Sequence, residues 1–386
     1  MSTKPDSVVV VGGGLAGHTA AVTLRSCGFH GRLTLITQEP AAPYDRPPLS
    51  KELLSGQALT PTLSPDLADL EVQVHTDTVA VGIRAGEILT TAGRFPFEAA
   101  LLAPGLKARR LPSGPGAAPA RGLRTLADAV GLRTELVAGQ RVLIVGAGLI
   151  GAEVATAAAA AGCRVSVIGP DLGPALAAVP DAVLAEIRGW YDECGIRLTT
   201  GVRVLETTST GVLLSDSGHR AADVVIAAIG GSPATSWLDA SVVALDPAGF
   251  ITVDEHLCTG LPGVYAAGDA VAWRSSRYGC DMHLEHWHHA ADSAHVAARN
   301  ILGANESYDP LPYFWSHQLG HGLHYIGRHG RADAVEIRTD TRSGRAVTWT
   351  RGGRPTAMLA IDAAHLARRA RRELEAADRP EMGVAR

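Results

Sequence analysis

The sequence is short of several things that would otherwise define a function. Its five cysteines, Cys27, Cys163, Cys194, Cys258 and Cys280, are scattered and contain no Cys-x-x-Cys pair or metal-ligand spacing. That argues against a disulfide framework and a dithiol relay, and fits buried or free thiols in a reducing compartment better. Lysine is nearly absent: Lys4, Lys51 and Lys107 are the only ones, so a lysine inside a motif stands out. A net charge of −4 lacks the basic excess that nucleic-acid binding demands. No low-complexity tract is present, and no secretory leader is expected, since the apolar run Val8–Val11 passes directly into glycines. A cytoplasmic location is expected. Val142–Gly162 approaches the length of a membrane span, but it contains Glu153 and four glycines and reads as strand, turn and helix.

What is present is a folded composition, 46% hydrophobic and 19% charged, over 386 residues, enough for two or three domains. Two segments resemble each other: Ser7–Leu24, SVVVVGGGLAGHTAAVTL, and Gln140–Ala157, QRVLIVGAGLIGAEVATA. Each is a β-branched run, a glycine cluster and a small-residue helix, followed by a second strand, Arg32–Thr37 or Arg164–Ile168. Both therefore read as βαβ units of a doubly wound α/β fold. The Pro-, Gly- and Ala-rich Leu111–Arg121 marks a crossover between them. Val202–Ser217 reads as a β-meander, Val224–Ile229 as a buried strand, and Trp287–Leu302 as a helix. Alternating strands (Val335–Arg338, Ala346–Thr350, Ala357–Ile361) and a helix, Ala363–Ala377, form a C-terminal α+β region. Within that helix Ala367–Glu373, ARRARRE, is either a solvated face or a docking patch for an acidic protein.

The glycine clusters carry the chemistry. Gly12, Gly14 and Gly17, and again Gly146, Gly148 and Gly151, fit G-x-G-x-x-G. The first glycine makes the turn, the second lets backbone approach a pyrophosphate, and the third lets helix and strand pack closely. The helix N-terminus then offers its N–H groups to the phosphates, which puts Leu149 and Ile150 at the second site. One such motif also arises from packing alone; two in the right context point to two dinucleotides. An acidic residue about 20 positions on normally holds the adenosine ribose. Gln38 or Glu39 fills that place in the first unit, whereas the second strand ends at Gly169-Pro170-Asp171, without a carboxylate at the expected spot or an arginine for a 2′-phosphate.

Pro43-Tyr44-Asp45-Arg46-Pro47-Pro48-Leu49-Ser50-Lys51 decides the family. Together with the two glycine turns, Tyr265–Ala270, Glu285-His286-Trp287 and Tyr313-Phe314-Trp315-Ser316, it resembles the FAD-dependent ferredoxin reductases of the putidaredoxin-reductase and dioxygenase-reductase type, relatives of apoptosis-inducing factor. The matching motifs run in family order from residue 7 to about residue 316. The resemblance implies a glutathione-reductase-like arrangement: a discontinuous FAD domain (1–112 and 245–312), an NAD(P) domain (113–244) and a small α+β domain (313–386). It implies Arg46 and Lys51 beside the isoalloxazine, Lys51 paired with Glu153, Asp269 after Gly268 on a ribityl hydroxyl, and Trp287 and Trp315 lining the ring. Ala103, Gly105, Glu285 and His286 join the implied FAD contacts, and Glu153 and Gly230 the NAD contacts. A positive charge near flavin N5 makes physical sense because it favours the reduced ring.

Departures from the family pattern are Ala103-Pro104-Gly105 in place of Ala-Thr-Gly, Gly169 in place of a glutamate, Gly173 where an arginine often follows, and His317-Gln318-Leu319 in place of Asp-Gln-Tyr. His317 and His321 have an i, i+4 spacing that on a helix could bind metal, but nothing completes a ligand set; His317 is alternatively a proton donor or acceptor near the flavin, or an ordinary polar histidine. The leading expectation is an NADH-dependent reductase that passes electrons through FAD to a small iron–sulfur ferredoxin, with NADPH the less favoured donor. The alternatives are a flavoenzyme acting directly on a small molecule and a redox-sensing binding protein.

Overall fold

The computed structural model describes residues 4–56, 61–177, 179–340 and 344–377. The chain divides into two compact units, one made of 1–46, 60–107 and 231–310, the other of 47–59, 108–230 and 311–386.

In the first unit, a five-stranded parallel sheet runs Val264–Ala266, Ala99–Leu102, Ser7–Val11, Arg32–Ile36, Gln73–His75. Ser7–Val11 lies at its centre and is buried along its whole length, as its β-branched run requires of a strand covered on both faces. The helix Leu15–Ser26 follows the first glycine turn and the helix Trp287–Ile301 packs against it. Both bury mainly small side chains, Ala16, Ala20 and Ala21 in the first and Ala290, Ala294, Ala297 and Ala298 in the second.

In the second unit, a four-stranded parallel sheet runs Arg197–Thr200, Arg164–Gly169, Arg141–Val145, Val224–Ala227. The long apolar stretch is the strand Arg141–Val145, a turn and the helix Leu149–Ala160. Among the described residues no helix is long and apolar enough to cross a membrane. The meander is present as Val204–Thr208, Gly211–Leu214 and His219–Ala221. The same unit contains a five-stranded antiparallel sheet ordered Tyr313–Gln318, His321–Gly327, Arg354–Ile361, Gly344–Arg351, Ala334–Asp340. Its inner face, with Phe314, Leu323, Val347 and Trp349, shares one apolar cluster with Val154, Ile187 and Trp190. The helix Ala364–Ala377 buries Ala367, Ala370 and Leu374 against this sheet, turns Arg368, Arg369 and Arg372 outward and lays Arg371 over the Tyr313 ring. Arg369 and Arg371 there pair with Glu373 and Glu375 one turn on, so half of the arginine cluster is neutralised locally.

Candidate functional site

The first glycine turn is built by close approach. Gly12 has φ +121° and a Cβ there would stand 2.0 Å from the Ala103 carbonyl oxygen. A Cβ on Gly17 would stand 1.9 Å from the Gly12 carbonyl oxygen. Gly13 is enclosed as well, by Thr37 Oγ1 at 2.5 Å. Gly14 differs: the nearest atom to a Cβ there is Arg46 Nε, 3.9 Å away. Gly14 is also the N-cap of the helix and makes no side-chain capping bond. Three glycines thus serve the fold and Gly14 leaves open space at a helix N-terminus, where N–H groups and the helix dipole favour an anion. That geometry fits a pyrophosphate.

Around this turn the first unit gathers most of the expected FAD residues. Arg46 donates to Glu39 Oε1 at 2.7 Å, and Tyr44 O–H donates to Glu39 Oε2 at 2.5 Å. Glu39 is half-buried where an adenosine ribose would be read, and Gln38 beside it is exposed. Arg46 therefore lies against both the first glycine turn and the Glu39 carboxylate. Trp287, at the first position of its helix, donates its indole N–H to Asp45 Oδ1 at 2.8 Å, which ties that helix to the Tyr44–Arg46 loop. His286 is the N-cap of the same helix, and burial lowers its pKa; Glu285 before it is exposed. Gly268 has φ +79° with Ala16 Cβ 3.0 Å from a would-be Cβ, and Asp269 is half-buried between buried neighbours. Gly105, φ +65°, accepts a backbone hydrogen bond from Ala234.

In the second unit, Gly146 and Gly151 repeat the tight roles, with Cβ positions 2.2 Å from the Ala228 carbonyl oxygen and 2.0 Å from that of Gly146. Gly148 has nothing within 4 Å of a Cβ and caps its helix without a side chain. Leu149 and Ile150 begin that helix, and Gly230, φ +83°, follows the strand that closes the sheet. This turn, too, fits a pyrophosphate. The ribose position is less complete. The strand ends at Gly169, where a Cβ would stand 3.2 Å from both Ala147 N and Asp171 O, and Asp171 Oδ1 is engaged by the Gly173 N–H at 2.7 Å. Gly173, φ +89°, packs with its would-be Cβ 2.8 Å from Gly148 Cα, so that loop lies directly on the phosphate turn.

The same unit contains a second constellation. Lys51 Nζ donates to Glu153 Oε2 at 2.8 Å and to the Pro47 carbonyl at 3.3 Å. Ser50 Oγ donates to the same carboxylate oxygen at 2.5 Å, and Ser316 Oγ to Oε1 at 2.6 Å. The Glu153 side chain is 3% exposed and that of Lys51 21%. A buried carboxylate is tolerated only when its lone pairs are filled, and here three donors from two separate segments fill them. Ser50 and Ser316 are members that sequence reasoning missed: they lie 103 and 163 residues from Glu153, and no spacing links them. Trp315, beside Ser316, is half-buried with its ring 6.2 Å from that of Tyr313.

His317 is exposed and pairs across a hairpin with Gly322, its Cε1 3.1 Å from a would-be Cβ. His321 stands on the facing strand, stacks on Trp190 at 4.0 Å and bonds Asp362 Oδ2 through Nδ1 at 2.7 Å. The two histidines are thus on neighbouring strands, not one turn apart on a helix. Among the described residues no group of three or more His, Cys, Asp or Glu side chains is placed to hold a metal ion.

A family model described as pyridine nucleotide-disulphide oxidoreductase matches residues 6–294, and one described as reductase C-terminal matches 313–385. The chain is 32% identical to the ferredoxin–NAD(+) reductase component of the anthranilate 1,2-dioxygenase system of Burkholderia cepacia, over 90% of this chain and 88% of that protein. It is 32% identical to human apoptosis-inducing factor 3 over 92% of its own length, and spans 61% of that longer protein. Among solved structures, that of Fdr9 is similar with a TM-score of 0.89 and 40% identity, covering 97% of this chain and 96% of the other.

Proposed function

The chain belongs to the pyridine nucleotide-disulphide oxidoreductase family, and from that premise we propose that it is an NADH:ferredoxin oxidoreductase that binds FAD and delivers electrons to a small [2Fe–2S] ferredoxin serving an oxygenase or cytochrome P450. The observation that carries this reading is the pair of glycine turns, each with an open second glycine at an uncapped helix N-terminus. When bound, FAD would supply the redox chemistry, hydride acceptance and one-electron release. The protein's part is to hold and orient, which explains why no nucleophile or triad is needed.

In this reading, Gly12–Gly17 and Arg46 hold the FAD pyrophosphate and Glu39 the adenosine ribose. Asp269 holds a ribityl hydroxyl. Trp287 and Trp315 pack at the ring, and Lys51, fixed by Glu153, Ser50 and Ser316, supplies a positive charge on the N5 side. Gly146–Gly151 holds the NADH pyrophosphate, with Gly230 beside it. We assign 1–112 and 245–312 to the FAD domain, 113–244 to the NAD domain and 313–386 to the C-terminal domain, and a cytoplasmic location. The name of the Burkholderia relative supports both NAD and a ferredoxin as partners. The test is anaerobic stopped-flow mixing of the FAD-loaded protein with NADH and then with an oxidised [2Fe–2S] ferredoxin. Bleaching of the flavin band, followed by its recovery as the ferredoxin is reduced, is expected. A ferredoxin that remains oxidised would count against the partner assignment.

A further inference from the structure

A buried polar group in the first unit has no part in the site described above. His289 and Ser293 lie one turn apart on the inner face of the helix Trp287–Ile301, and both are buried. Together they hold the two peptide groups that flank Gly268. Ser293 Oγ accepts the Gly268 N–H at 2.9 Å and donates its own proton to the His289 carbonyl at 2.6 Å. His289 Nε2 lies 3.1 Å from the Gly268 carbonyl oxygen. A carbonyl can only accept, so Nε2 carries the proton. Neutral imidazole then has a lone pair at Nδ1, and Tyr308 O–H donates to it at 2.7 Å. Burial works in the same direction: it lowers the His289 pKa to about 4 and raises that of Tyr308, so the imidazole stays neutral and the phenol keeps its proton. The imidazole also stacks on Trp273, 5.2 Å between centroids and 13° from parallel, which fixes the plane of the ring.

Gly268 itself requires such a clamp. With φ +79° and Ala16 close by, it belongs to a turn that no ordinary residue adopts without strain, and glycine alone does not hold one conformation. In a trans peptide the N–H points opposite the C=O. Fixing the Gly268 carbonyl therefore fixes the direction of the Asp269 N–H and the origin of the Asp269 side chain. The helix that begins with Trp287 bonded to Asp45 thus reaches two segments assigned to the flavin, the second of them through His289 and Ser293.

We propose that His289, with its tautomer set by Tyr308, and Ser293 are positioning residues that act through Asp269 to orient the ribityl chain of FAD. This rests on the flavin reading above. The hydrogen bonds are to backbone, so the clamp contributes orientation and not direct contact with the cofactor.

The experiment is a double-mutant cycle on FAD affinity, with apoprotein prepared for wild type, His289→Phe, Asp269→Ala and the double variant. Phe keeps the stack on Trp273 and removes both hydrogen bonds. FAD Kd is read by flavin fluorescence, and the thermal midpoint of each apoprotein is read alongside. The expected result is a Kd raised tenfold or more in His289→Phe, restored to within about threefold in His289→Asn, whose amide can both donate and accept. In the Asp269→Ala background, His289→Phe changes Kd by less than about threefold, because its effect runs through that residue. Tyr308→Phe, which leaves the fold's apolar contacts intact, raises Kd less than His289→Phe and gives the same non-additivity; it keeps the test open should His289→Phe fail to fold. Additive effects, or an unchanged Kd with only the apoprotein midpoint lowered, would show a purely structural role and overturn the inference while leaving FAD binding intact. A wild-type apoprotein that takes up no FAD would overturn the flavin reading and this inference with it.

Discussion

Removing Lys51 or Glu153 should have unequal consequences, because the two partners are buried to different depths. Lys51→Met leaves the Glu153 carboxylate, 3% exposed, with two serine donors and no counter-charge. Breaking a buried pair from one side costs about 3–5 kcal/mol; with Ser50 and Ser316 still donating, the lower end, about 3 kcal/mol, applies. Glu153→Gln is milder. The Lys51 ammonium is one-fifth exposed and can be hydrated, and the serine hydroxyls can turn to suit an amide. The loss is then a partly screened pair, about 1 kcal/mol. For a unit of roughly 200 residues, 1 kcal/mol corresponds to about 2–4 °C of Tm. Lys51→Met should therefore lower the midpoint of the apoprotein by about 6–12 °C, and Glu153→Gln by about 2–4 °C. Differential scanning fluorimetry at neutral pH on flavin-free protein measures this without a contribution from the cofactor. Equal losses, or a greater loss in Glu153→Gln, would refute the reasoning that burial of the carboxylate dominates the pair.

The glycines should separate folding from binding: Gly14→Ala, whose Cβ has room, should leave the apoprotein Tm within a few degrees while abolishing FAD uptake, whereas Gly12→Ala, forced to 2.0 Å from a carbonyl, should lower the Tm itself. With glycine at 169 and the Asp171 carboxylate engaged by the Gly173 N–H, kcat/KM for NADH should exceed that for NADPH by no more than about tenfold, read from steady-state rates with each nucleotide. Acid should destabilise the first unit. Burial lowers the His289 pKa to about 4, against pulls upward from Asp269 and the Gly268 carbonyl and downward from His286 and His283. The unfolded chain protonates this histidine near pH 6.5 and the folded chain resists until about pH 4, so the contribution is complete above pH 6.5 and is lost as pH falls toward 4. It amounts to about 3 kcal/mol, and Tm measured across that range should fall less steeply in His289→Phe than in wild type.

The parts of this molecule that could be read from sequence are those in which one local feature has one physical cause. The turns of Gly12–Gly17 and Gly146–Gly151 were legible because turn and helix start lie within six residues, and in each the first and third glycines are where a Cβ would meet a carbonyl oxygen while the second is open. Strand and helix existence followed from the β-branched runs and small-residue helices, and boundaries moved by only a few residues, as in Gly344–Arg351 against an expected Ala346–Thr350. The i, i+4 spacing of His317 and His321 would bring the two rings together only on a helix; Leu319-Gly320 instead makes a hairpin between them, with Leu319 at φ +53° and Gly320 at φ +83°. The donors on Glu153 and the His289–Gly268 clamp were not legible. They depend on where distant segments meet, and a serine or histidine carries no local sign of the carboxylate or carbonyl it will reach.

The most direct test of the flavin reading is the visible spectrum of the purified protein, reconstituted with FAD if needed and then titrated anaerobically with NADH. A bound-flavin spectrum at one FAD per chain is expected, with its main band bleaching as NADH is added. A colourless protein that does not take up FAD, or a bound flavin that stays oxidised in excess NADH, would contradict that reading.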